Sequence, residues 1–494
     1  MSTLIAHFDA MALRHADKPA LIQEHRQISY GQLREASERL AQALSEAGLR
    51  AGAHIALDGV NEIEFVIAYL AIARMGACLA PIDSRLSLPE VDVLLADFQP
   101  GACLLLDEGS PLSQAMQARS DWQVLSLSGP DEPAVTLWLD PLRCHATPAQ
   151  AGDLVVQYSS GSTGKPKGII LSRDNIFHKV NNWNITLDIS DKDVFLCTLT
   201  LSHCYGMYVH TLAGLLAGAV VHLPRLAGLT PGRILRMLAD WQVTVFGSLP
   251  YMYQLWLAVP AERVRLDSVR YLISGSAPLP EVTARAFHDT FGRNLNQVYG
   301  LTEIGLITFN KHGNNPMSLG WPTANMVCRV VDESGQECAV DQPGELLVRC
   351  ASMARGYLDN PEEAREMFRD GWLHTKDVVR RAADGSFVMC GRLSQFINVG
   401  GNKVSPAEVE NTLLAHPAIK EAAVVGQRGA AGEDVVAFIV LQPGQPHLEP
   451  RDVFQYCAEA LSGYKRPRVV HIIDALPKSP LGKVLKAQLF TCLG

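Results

Sequence analysis

The stretch from Tyr158 to Gly168 constrains this chain more than any other part of its sequence. It reads Tyr-Ser-Ser-Gly-Ser-Thr-Gly-Lys-Pro-Lys-Gly, so glycines that allow close backbone approach stand among hydroxyls that donate to phosphate oxygens and two lysines. Short apolar runs flank it at Leu154–Val156 and Ile169–Leu171, and such runs predict two strands joined as a hairpin. The sequence therefore indicates a hairpin loop that binds the phosphates of a nucleoside triphosphate.

The same stretch has two alternative interpretations. A Walker loop needs four residues between its glycines and a Ser or Thr after its lysine, whereas two residues separate Gly161 from Gly164 and Pro166 follows Lys165. A Walker loop also leads into a helix, while the apolar run after Gly168 is typical of a strand. The other alternative is a flexible polar turn without a ligand.

Composition excludes several classes of protein. The 494 residues carry a net charge of −8, which argues against a general nucleic-acid-binding surface, so no nucleic-acid partner is expected. The 11 cysteines are scattered without a Cys-x-x-Cys pair, which argues against a disulfide framework and a zinc knuckle. Charged residues interrupt Met1–Lys18, and the longest apolar runs are shorter than a bilayer span. We therefore expect a soluble cytoplasmic protein of two or more domains with no membrane span.

The N-terminal third of the chain alternates helical and strand patterns, which is typical of an α/β protein. A helix is predicted after Ser29, a strand at His54–Leu57, a helix over Glu62–Arg74 and a strand at Cys78–Pro81. The segment Leu106–Glu132 is expected to form loops and variable elements. No catalytic spacing occurs in this part of the chain, so we expect it to serve as scaffold.

Later strand-like runs end in turns that carry functional groups. An apolar strand is predicted over Val194–Leu201, followed by a Ser-His-Cys-Tyr-Gly turn and a long apolar helix. On its own, His203 in that turn is more readily explained as a structural histidine. Tyr271–Ser274 then runs into a turn of small residues, against which a flat ring such as adenine can lie.

Two further segments supply aromatic, hydroxyl and charged groups. Val298–Glu303 places an aromatic face, a hydroxyl and a carboxylate within a few residues, a set that suits a nucleotide bound with Mg²⁺. Asp377 follows a strand-like run, where it is placed to accept from ribose hydroxyls. A solvated turn is the alternative for each segment. Lys483 stands on a Pro/Gly turn, where a lone lysine is usually a solvated surface charge.

Together and in this order, these segments resemble the adenylate-forming superfamily of acyl-CoA synthetases, adenylation domains and luciferases. Tyr158–Gly168 matches the superfamily's phosphate-loop signature, Tyr-x-Ser-Gly-x-Thr-Gly-x-Pro-Lys-Gly, at every fixed position. The resemblance implies an α/β fold with a large N-terminal domain of helix-sandwiched β-sheets (1–391), a hinge (392–395) and a small mobile α+β C-terminal domain (396–494). It also implies two half-reactions: a carboxylate attacks the α-phosphorus of ATP and pyrophosphate leaves, and a thiol then attacks the acyl-adenylate and AMP leaves.

The resemblance assigns roles to residues at matching positions. Lys483 is implied to be the adenylation lysine, whose ammonium bridges the acyl carboxylate and the α-phosphate. Thr302 is implied to bond the α-phosphate and Glu303 to hold Mg²⁺, while Tyr299 stacks on adenine and Asp377 takes the ribose hydroxyls. The implied ATP- and AMP-binding residues are Ser159, Ser160, Gly161, Ser162, Thr163, Gly164, Lys167, Ser276, Ala277, Tyr299, Gly300, Asp377 and Arg392.

The C-terminal part carries three further matches or candidates. Gly400 and Gly401 match the turn beside which the pantetheine arm of the thiol enters, where the missing β-carbons leave room for a narrow tunnel. Ser394 occupies the hinge position, which usually holds Asp or Lys, so the resemblance supports the place of the hinge and not its mechanism. The basic cluster Lys465–Arg468 suits CoA phosphates or is an ordinary solvated face.

An acyl pocket is predicted around His203, which is also expected to be catalytic. Where amino-acid-activating members carry an Asp for the substrate's α-ammonium, this chain has Cys204, and a neutral thiol cannot compensate a buried ammonium. We therefore expect no α-amino acid as substrate. His203 and Tyr205 are expected to form an aromatic gate. The predicted residues of an apolar cavity for an aromatic or medium-length aliphatic acid are His203, Cys204, Tyr205, Gly206, Gly275 and Leu301.

Three functions are open at this point. The leading hypothesis is an acid–thiol ligase that uses ATP, Mg²⁺ and CoA to form an acyl-CoA. The second is a stand-alone adenylating enzyme that loads the phosphopantetheine of a carrier protein in trans. The third is a non-catalytic nucleotide-binding protein, against which the joint presence of Thr302, Glu303 and Lys483 argues. The oligomeric state is not predicted.

Overall fold

A computed structural model describes residues 3–127, 135–145, 149–160, 166–260, 264–399, 402–429, 432–443, 448–478 and 484–493. No helix in this described part is long and apolar enough to cross a membrane. Its α-helices are α1 (Thr3–Arg14), α2 (Tyr30–Glu46), α3 (Ile63–Met75), α4 (Leu88–Phe98), α5 (Pro111–Gln117), α6 (Arg173–Leu187), α7 (Ala213–Ala217), α8 (Pro231–Asp240), α9 (Pro250–Trp256), α10 (Glu281–Phe291), α11 (Pro361–Met367), α12 (Pro406–Leu414) and α13 (Pro450–Ala460).

The strands are spread over the whole sequence and gather into three sheets in the described residues. They are β1 (Pro19–Gln23), β2 (Arg26–Ser29), β3 (His54–Gly59), β4 (Cys78–Asp83), β5 (Ala102–Leu105), β6 (Gln123–Ser126), β7 (Thr136–Leu139), β8 (Asp153–Ser160), β9 (Pro166–Ser172), β10 (Val194–Leu196), β11 (Val220–His222), β12 (Val245–Ser248), β13 (Tyr271–Ser274), β14 (Asn296–Leu301), β15 (Gly305–Phe309), β16 (Ser318–Pro322), β17 (Val327–Val331), β18 (Gly344–Arg349), β19 (Gly356–Tyr357), β20 (Phe368–Arg369), β21 (Trp372–Arg381), β22 (Phe387–Arg392), β23 (Ile397–Val399), β24 (Asn402–Val404), β25 (Ile419–Gly429), β26 (Gly432–Leu441) and β27 (Val469–Ile472).

An eight-stranded sheet carries the predicted phosphate loop, in the order β19-β9-β8-β4-β3-β5-β7-β6. Its centre is parallel, since β3 pairs with β4 and β5, and β4 pairs with β8. β8 and β9 form an antiparallel hairpin in which Ser159 stands opposite Lys167 and Tyr158 opposite Gly168. The hairpin predicted from the two apolar runs is therefore confirmed.

A 14-stranded sheet carries the other candidate residues, with parallel strands β10 to β14 on one side and antiparallel strands β15 to β18, β21 and β22 on the other. One hydrophobic cluster includes buried residues of both large sheets, such as Leu79 of β4 and Phe195 of β10. The turn at Leu393–Gln395 leads from β22 into a five-stranded sheet of β23 to β27. That sheet buries a cluster of its own, which includes Val424 and Ile439.

Three predictions differ from the structure in the extent, type or placement of an element. The strand predicted over Val194–Leu201 is only the three-residue β10. The long helix predicted after it is a π-helix at Tyr205–Leu212 followed by α7, which ends because Gly218 takes a left-handed φ of 75°. The segment Leu106–Glu132, expected to form loops and variable elements, contains α5 and β6 in its described part. Asp377 lies inside β21 rather than after a strand, because pairing with β18 and β22 extends the strand past the apolar run.

Local sequence explains where two helices near the site begin. Ser172 Oγ accepts from the Asn175 amide and Asn175 Oδ1 accepts from the Ser172 amide, each at 3.0 Å, so a reciprocal cap starts α6 directly after β9. Asn360 Oδ1 accepts from the Glu363 amide at 3.2 Å, and Pro361 occupies the first turn of α11. Both helix starts thus lie beside the β8–β9 hairpin, because β9 also pairs with β19 just before α11.

Candidate nucleotide and acyl site

The predicted phosphate lysine, Lys167, is held by a carboxylate. Its Nζ donates to Oε1 of Glu363 at the start of α11, and both side chains are largely shielded from solvent. Glu363 also accepts a hydrogen bond of 2.9 Å from Nδ2 of Asn360. On the same hairpin the Tyr158 hydroxyl donates to Oδ2 of Asp97 at 2.6 Å, which ties β8 to α4. Outside the described part of the chain lie the side chain of Ser160 and the loop residues Gly161, Ser162, Thr163 and Gly164.

We expect Glu363→Gln to lower the KM for ATP by up to about fivefold. If Lys167 binds nucleotide phosphates as predicted, the carboxylate competes with them for its ammonium, and a partly exposed ion pair contributes about 0.2–1 kcal/mol. Glutamine keeps an oxygen for Asn360 while it removes the charge. The measurement is the initial rate of pyrophosphate release at varied ATP, with the exposed neighbour Glu362→Gln as the control. A raised KM would show instead that Glu363 orients Lys167 for the phosphates.

Tyr299, Asp377 and Arg392 form one hydrogen-bonded group. Asp377 is buried and accepts from the Tyr299 hydroxyl at Oδ2 and from Arg392 Nε at Oδ1, each at 2.6 Å. Asp377 and Arg392 face each other across β21 and β22, and Lys376 next to the acid has a left-handed φ of 58°. Burial and then the charge of Asp377 raise the pKa of Tyr299 well above its usual range. The residues predicted for adenine and ribose are therefore in direct contact.

Glu303 is joined to the phosphate hairpin through a tyrosine. The Tyr357 hydroxyl donates to Oε1 of Glu303 at 2.9 Å, and Tyr357 in β19 pairs with Ile169 of β9. Burial and then Glu303 raise the pKa of Tyr357 above its usual range, so the tyrosine stays a donor. Among the described residues no group of three or more His, Cys, Asp or Glu could hold a metal ion. One carboxylate beside bound phosphates is the usual setting for Mg²⁺, so Glu303 fits the predicted metal role.

Cys204 contacts both His203 and Thr302. Its Sγ lies 3.8 Å from Nδ1 of His203 and 3.8 Å from Oγ1 of Thr302. The Tyr205 amide donates to the same His203 nitrogen at 3.2 Å. Burial by itself raises the pKa of a thiol, but the imidazole, the hydroxyl and the ammonium of Lys179 outweigh it and lower the pKa of Cys204. The segment predicted to line the acyl pocket thus touches the residue predicted to bind the α-phosphate.

The two glycines predicted to open the acyl pocket serve close packing. At Gly206 a β-carbon would lie 2.3 Å from the backbone oxygen of Thr200, so this glycine permits a tight backbone approach. At Gly275 a β-carbon would lie 2.7 Å from Cγ1 of Val298 and 3.2 Å from the Tyr205 hydroxyl. In this structure the Tyr205 ring packs against Gly275, and the acyl cavity at these glycines stays a prediction.

The remaining predicted residues of the purine and acyl site lie on turns and strand ends. Ser276 is exposed in the turn after β13 with a left-handed φ of 64°, and Ala277 beside it is half-buried. At Gly300 a β-carbon would lie 2.4 Å from the backbone oxygen of Gly305, so the hairpin of β14 and β15 needs glycine there. Leu301 is half-buried at the end of β14.

Sequence reasoning missed a buried lysine beside this segment. Lys179 in α6 is 7% exposed, and its Nζ donates to the backbone oxygen of Thr302 at 2.9 Å. Burial lowers its pKa to about 8 against the opposing effect of nearby acidic groups. A lysine in the middle of a helix normally reaches solvent, so no pattern in the sequence distinguishes Lys179. The partners Glu363 and Tyr357 were not predicted either, because their contacts join distant segments.

The C-terminal candidates are only partly described. Lys483, Gly400 and Gly401 lie outside the described residues, as does the side chain of Ser394. The backbone of Ser394 forms part of the 3₁₀ turn at Leu393–Gln395. The roles of these four residues therefore stay predictions.

Lys478 connects the segment before Lys483 to the N-terminal part of the chain. Its Nζ pairs with Oε2 of Glu421 in β25 at 2.5 Å and lies 5.5 Å from the ring centroid of Tyr251 in α9. A cation over an aromatic face at such a partly exposed position contributes about 0.5–1 kcal/mol. Lys478, which precedes the predicted adenylation lysine by five residues in sequence, thus contacts the N-terminal part of the chain.

The basic cluster Lys465–Arg468 already has protein partners. Lys465 pairs with Glu408 at 2.6 Å, and Arg468 pairs with Asp434 at 3.1 Å. Arg466 donates to two backbone oxygens of the preceding segment. Because CoA phosphates would compete with these contacts, the cluster fits the interpretation as an ordinary surface better.

Comparison with known proteins decides the family. The model of the AMP-binding enzyme family matches residues 8–358. The chain belongs to the AMP-binding enzyme family. A second model, the AMP-binding enzyme C-terminal domain, matches residues 408–483 of this AMP-binding enzyme. The resemblance to adenylate-forming acyl-CoA synthetases, drawn from the motifs and their order, is confirmed.

Relatives of this AMP-binding enzyme match it over nearly its full length. The feruloyl-CoA synthase of Amycolatopsis sp is 30% identical over 471 residues, which cover 94% of this chain and 93% of that protein. The 4-coumarate–CoA ligase 5 of Oryza sativa subsp. japonica is 30% identical over 483 residues, which cover 94% of this chain and 89% of that protein. Two solved structures are similar to this chain: anthranilate CoA ligase AuaEII with anthranoyl-AMP, and ATP-bound MatB from Rhodopseudomonas palustris. Each is 26% identical to this chain, with a TM-score of 0.85, and covers 99% of it. The match covers 96% of the AuaEII chain and 99% of the MatB chain. The predicted α/β fold is confirmed.

Proposed function

We propose that this AMP-binding enzyme is an AMP-forming acid–CoA ligase. In the first half-reaction a carboxylate oxygen attacks the α-phosphorus of ATP, and the bond to pyrophosphate breaks. In the second, the CoA sulfur attacks the acyl carbon and loses its proton, and AMP leaves with the electrons of the acyl–oxygen bond. Relatives named as CoA synthases and CoA ligases over most of their length support this proposal.

The observation that carries the proposal is the adjacency of two hydrogen-bonded groups. Tyr299, Asp377 and Arg392 form one group, and Glu303 is joined by Tyr357 to the β8–β9 hairpin. Tyr299 lies on β14 and Glu303 on the turn that follows it. Burial lowers the pKa of Arg392, but the charges of Asp377, Tyr299 and Glu303 outweigh it and raise that pKa. This supports a nucleoside at the first group and its phosphates at the second.

The protein groups would act by position and charge, since the substrate carboxylate is itself the nucleophile. Lys167 would hold the phosphates that leave as pyrophosphate. Thr302 would donate to the α-phosphate from a backbone that Lys179 fixes through its carbonyl oxygen. Glu303 would hold Mg²⁺, which neutralises phosphate charge when bound. Lys483 would stabilise the charge that builds up between carboxylate and α-phosphate.

The division into parts 1–391 and 396–494 with a hinge at 392–395 is also part of the proposal. The turn at Leu393–Gln395 separates the 14-stranded sheet from the five-stranded sheet. This separation supports a rotation of the C-terminal part relative to the N-terminal part at the turn. Arg392, bonded to Asp377, would stay with the nucleotide while Ser394 turns. The Gly400–Gly401 turn would then form the entry for the thiol arm.

We propose an aromatic or medium-length aliphatic acid, and no α-amino acid, as the substrate. Cys204 offers no carboxylate for an α-ammonium, and the charge of Lys179 close to it would repel one. The relatives named for ferulate, 4-coumarate and anthranilate support an aromatic acid. The Tyr205 ring packed on Gly275 supports the aromatic gate.

The test is an incubation of the purified chain with ATP, Mg²⁺, CoA and a panel of acids. We expect pyrophosphate release and an acyl-CoA detected by mass spectrometry for at least one aromatic acid, and neither for α-amino acids. Acyl-adenylate without thioester, with faster turnover on a carrier protein, would favour loading of phosphopantetheine instead. Absence of pyrophosphate release with every acid would overturn the proposal in favour of a non-catalytic nucleotide-binding protein.

A further inference from the structure

A buried ammonium lies where the proposed acyl and phosphate sites meet. Lys179 is 7% exposed, and its stem packs on Gly305, where a β-carbon would lie 3.0 Å from Cγ of the lysine. The stem is therefore confined between α6 and β15. Its Nζ donates to the backbone oxygen of Thr302 at 2.9 Å.

The charge of Lys179 is poorly compensated by the protein. No carboxylate of the described residues lies within ion-pair distance of Nζ, and the titratable groups near it are Cys204, Glu303 and Cys350. Glu303 already accepts from Tyr357 and is the proposed metal ligand. An ammonium has three N–H donors, and one carbonyl leaves the others to be satisfied. Burial of this cation with one acceptor lowers its pKa to about 8, and an acceptor supplied by a ligand would favour the charged form.

The position of Lys179 relates it to the acyl group. Its hydrogen-bond partner, Thr302, contacts Cys204 through the hydroxyl, and the charge of Lys179 lowers the pKa of that cysteine. None of the residues proposed for adenine, ribose or the departing phosphates hydrogen-bonds Lys179 in the described part of the chain. Lys179 thus lies beside Thr302, the residue proposed for the α-phosphate, whose hydroxyl contacts Cys204 of the predicted acyl pocket.

We infer that Lys179 selects carboxylic acids that carry a second oxygen acceptor, a carboxylate or a phenolic oxygen, which accepts a hydrogen bond from Nζ in the bound acid. This inference rests on the proposed function and narrows its substrate class. The reacting carboxylate is a less suitable partner, because it must lie at the α-phosphorus, where the proposal assigns the compensating charge to Lys483. A second oxygen of the acid would supply the acceptor that the Lys179 ammonium lacks.

The experiment compares acids of equal shape that differ in this one group. Benzoates and cinnamates with a carboxylate, a hydroxyl or a methyl group at the ortho, meta or para position are tested with the full chain, ATP and Mg²⁺, and kcat/KM is measured by pyrophosphate release. We expect a carboxylate or hydroxyl acid to exceed its methyl counterpart by roughly 10- to 100-fold in at least one position, as for a hydrogen bond to a charged group. Comparison of the carboxylate-substituted acids with the hydroxyl-substituted acids shows which of the two groups accepts the hydrogen bond from Lys179.

The variants assign this preference to Lys179. Lys179→Met should remove most of the preference, chiefly through KM, while Lys179→Arg should keep part of it. Methionine fills similar space without charge, so the variant is expected to fold, and its thermal unfolding is recorded. Lys192→Met, at an exposed lysine shortly after the same helix, is the matched control and should leave the preference unchanged.

The outcomes separate this inference from the proposed function. Equal loss for methyl and oxygen-bearing acids in Lys179→Met would show that Lys179 acts on the common carboxylate, and an unchanged preference would show that it does not contact the acid; either overturns the inference. Pyrophosphate release by the wild type with any acid supports the proposed function in both cases. If no acid turns over, calorimetric binding of the same acid pairs to the wild type and Lys179→Met still decides the inference.

Discussion

Lys483→Ala is expected to lower the rate of acyl-adenylate formation by roughly 100- to 1,000-fold, the usual effect of removing one charge-stabilising donor from a transition state. The lysine is proposed to bridge the substrate carboxylate and the α-phosphate, where negative charge builds up during displacement. Thioester formation from a supplied acyl-adenylate should survive, because that step attacks the acyl carbon after the α-phosphate bond has formed. The two half-reactions are measured separately, as pyrophosphate release and as acyl-CoA formation.

The control for Lys483→Ala is Lys420→Ala, at an exposed lysine of the same C-terminal part. It should leave both half-reactions within about twofold of the wild type, since isolated surface substitutions have small effects. Equal loss of both half-reactions in Lys483→Ala would contradict the proposed role. If Lys483→Ala still formed the acyl-adenylate at the wild-type rate, another cation would bridge the carboxylate and the α-phosphate. Lys179, the buried lysine that donates to Thr302, would be tested first.

Asp377→Asn is the second large expected effect. The buried carboxylate accepts from Tyr299 and from Arg392, and the amide removes its charge while nearly keeping its shape. Loss of a hydrogen bond to a charged group costs about 1.5–3 kcal/mol, so we expect AMP affinity to fall roughly 10- to 100-fold. Isothermal titration with AMP measures this directly without turnover.

The matched control for Asp377→Asn is Asp370→Asn, whose side chain is 87% exposed near the start of the same strand. It should bind AMP as the wild type does. A fall in thermal stability of Asp377→Asn with unchanged AMP affinity would show that the group of Tyr299, Asp377 and Arg392 is structural and does not bind the nucleoside.

The local elements were largely predictable. The β8–β9 hairpin followed from two apolar runs around a glycine-rich turn, and β3, β4, α2 and α3 followed from periodicity with errors of a residue or two at their ends. The errors fell where tertiary pairing or packing overrides local pattern. Asp377 lies inside a strand that β18 and β22 extend, and the helix after Cys204 is a π-helix packed into the core.

The sequence by itself determined the family, the order of its motifs and the elements that carry them, because these depend on residue types and spacings within short stretches of backbone. Only the tertiary structure decided which side chains meet. Lys167 meets Glu363 across 196 residues of sequence, and Lys179 meets Thr302 across 123. Whether a lysine faces solvent or is buried depends on which distant segments pack over its helix. The local sequence pattern of the helix does not predict those segments.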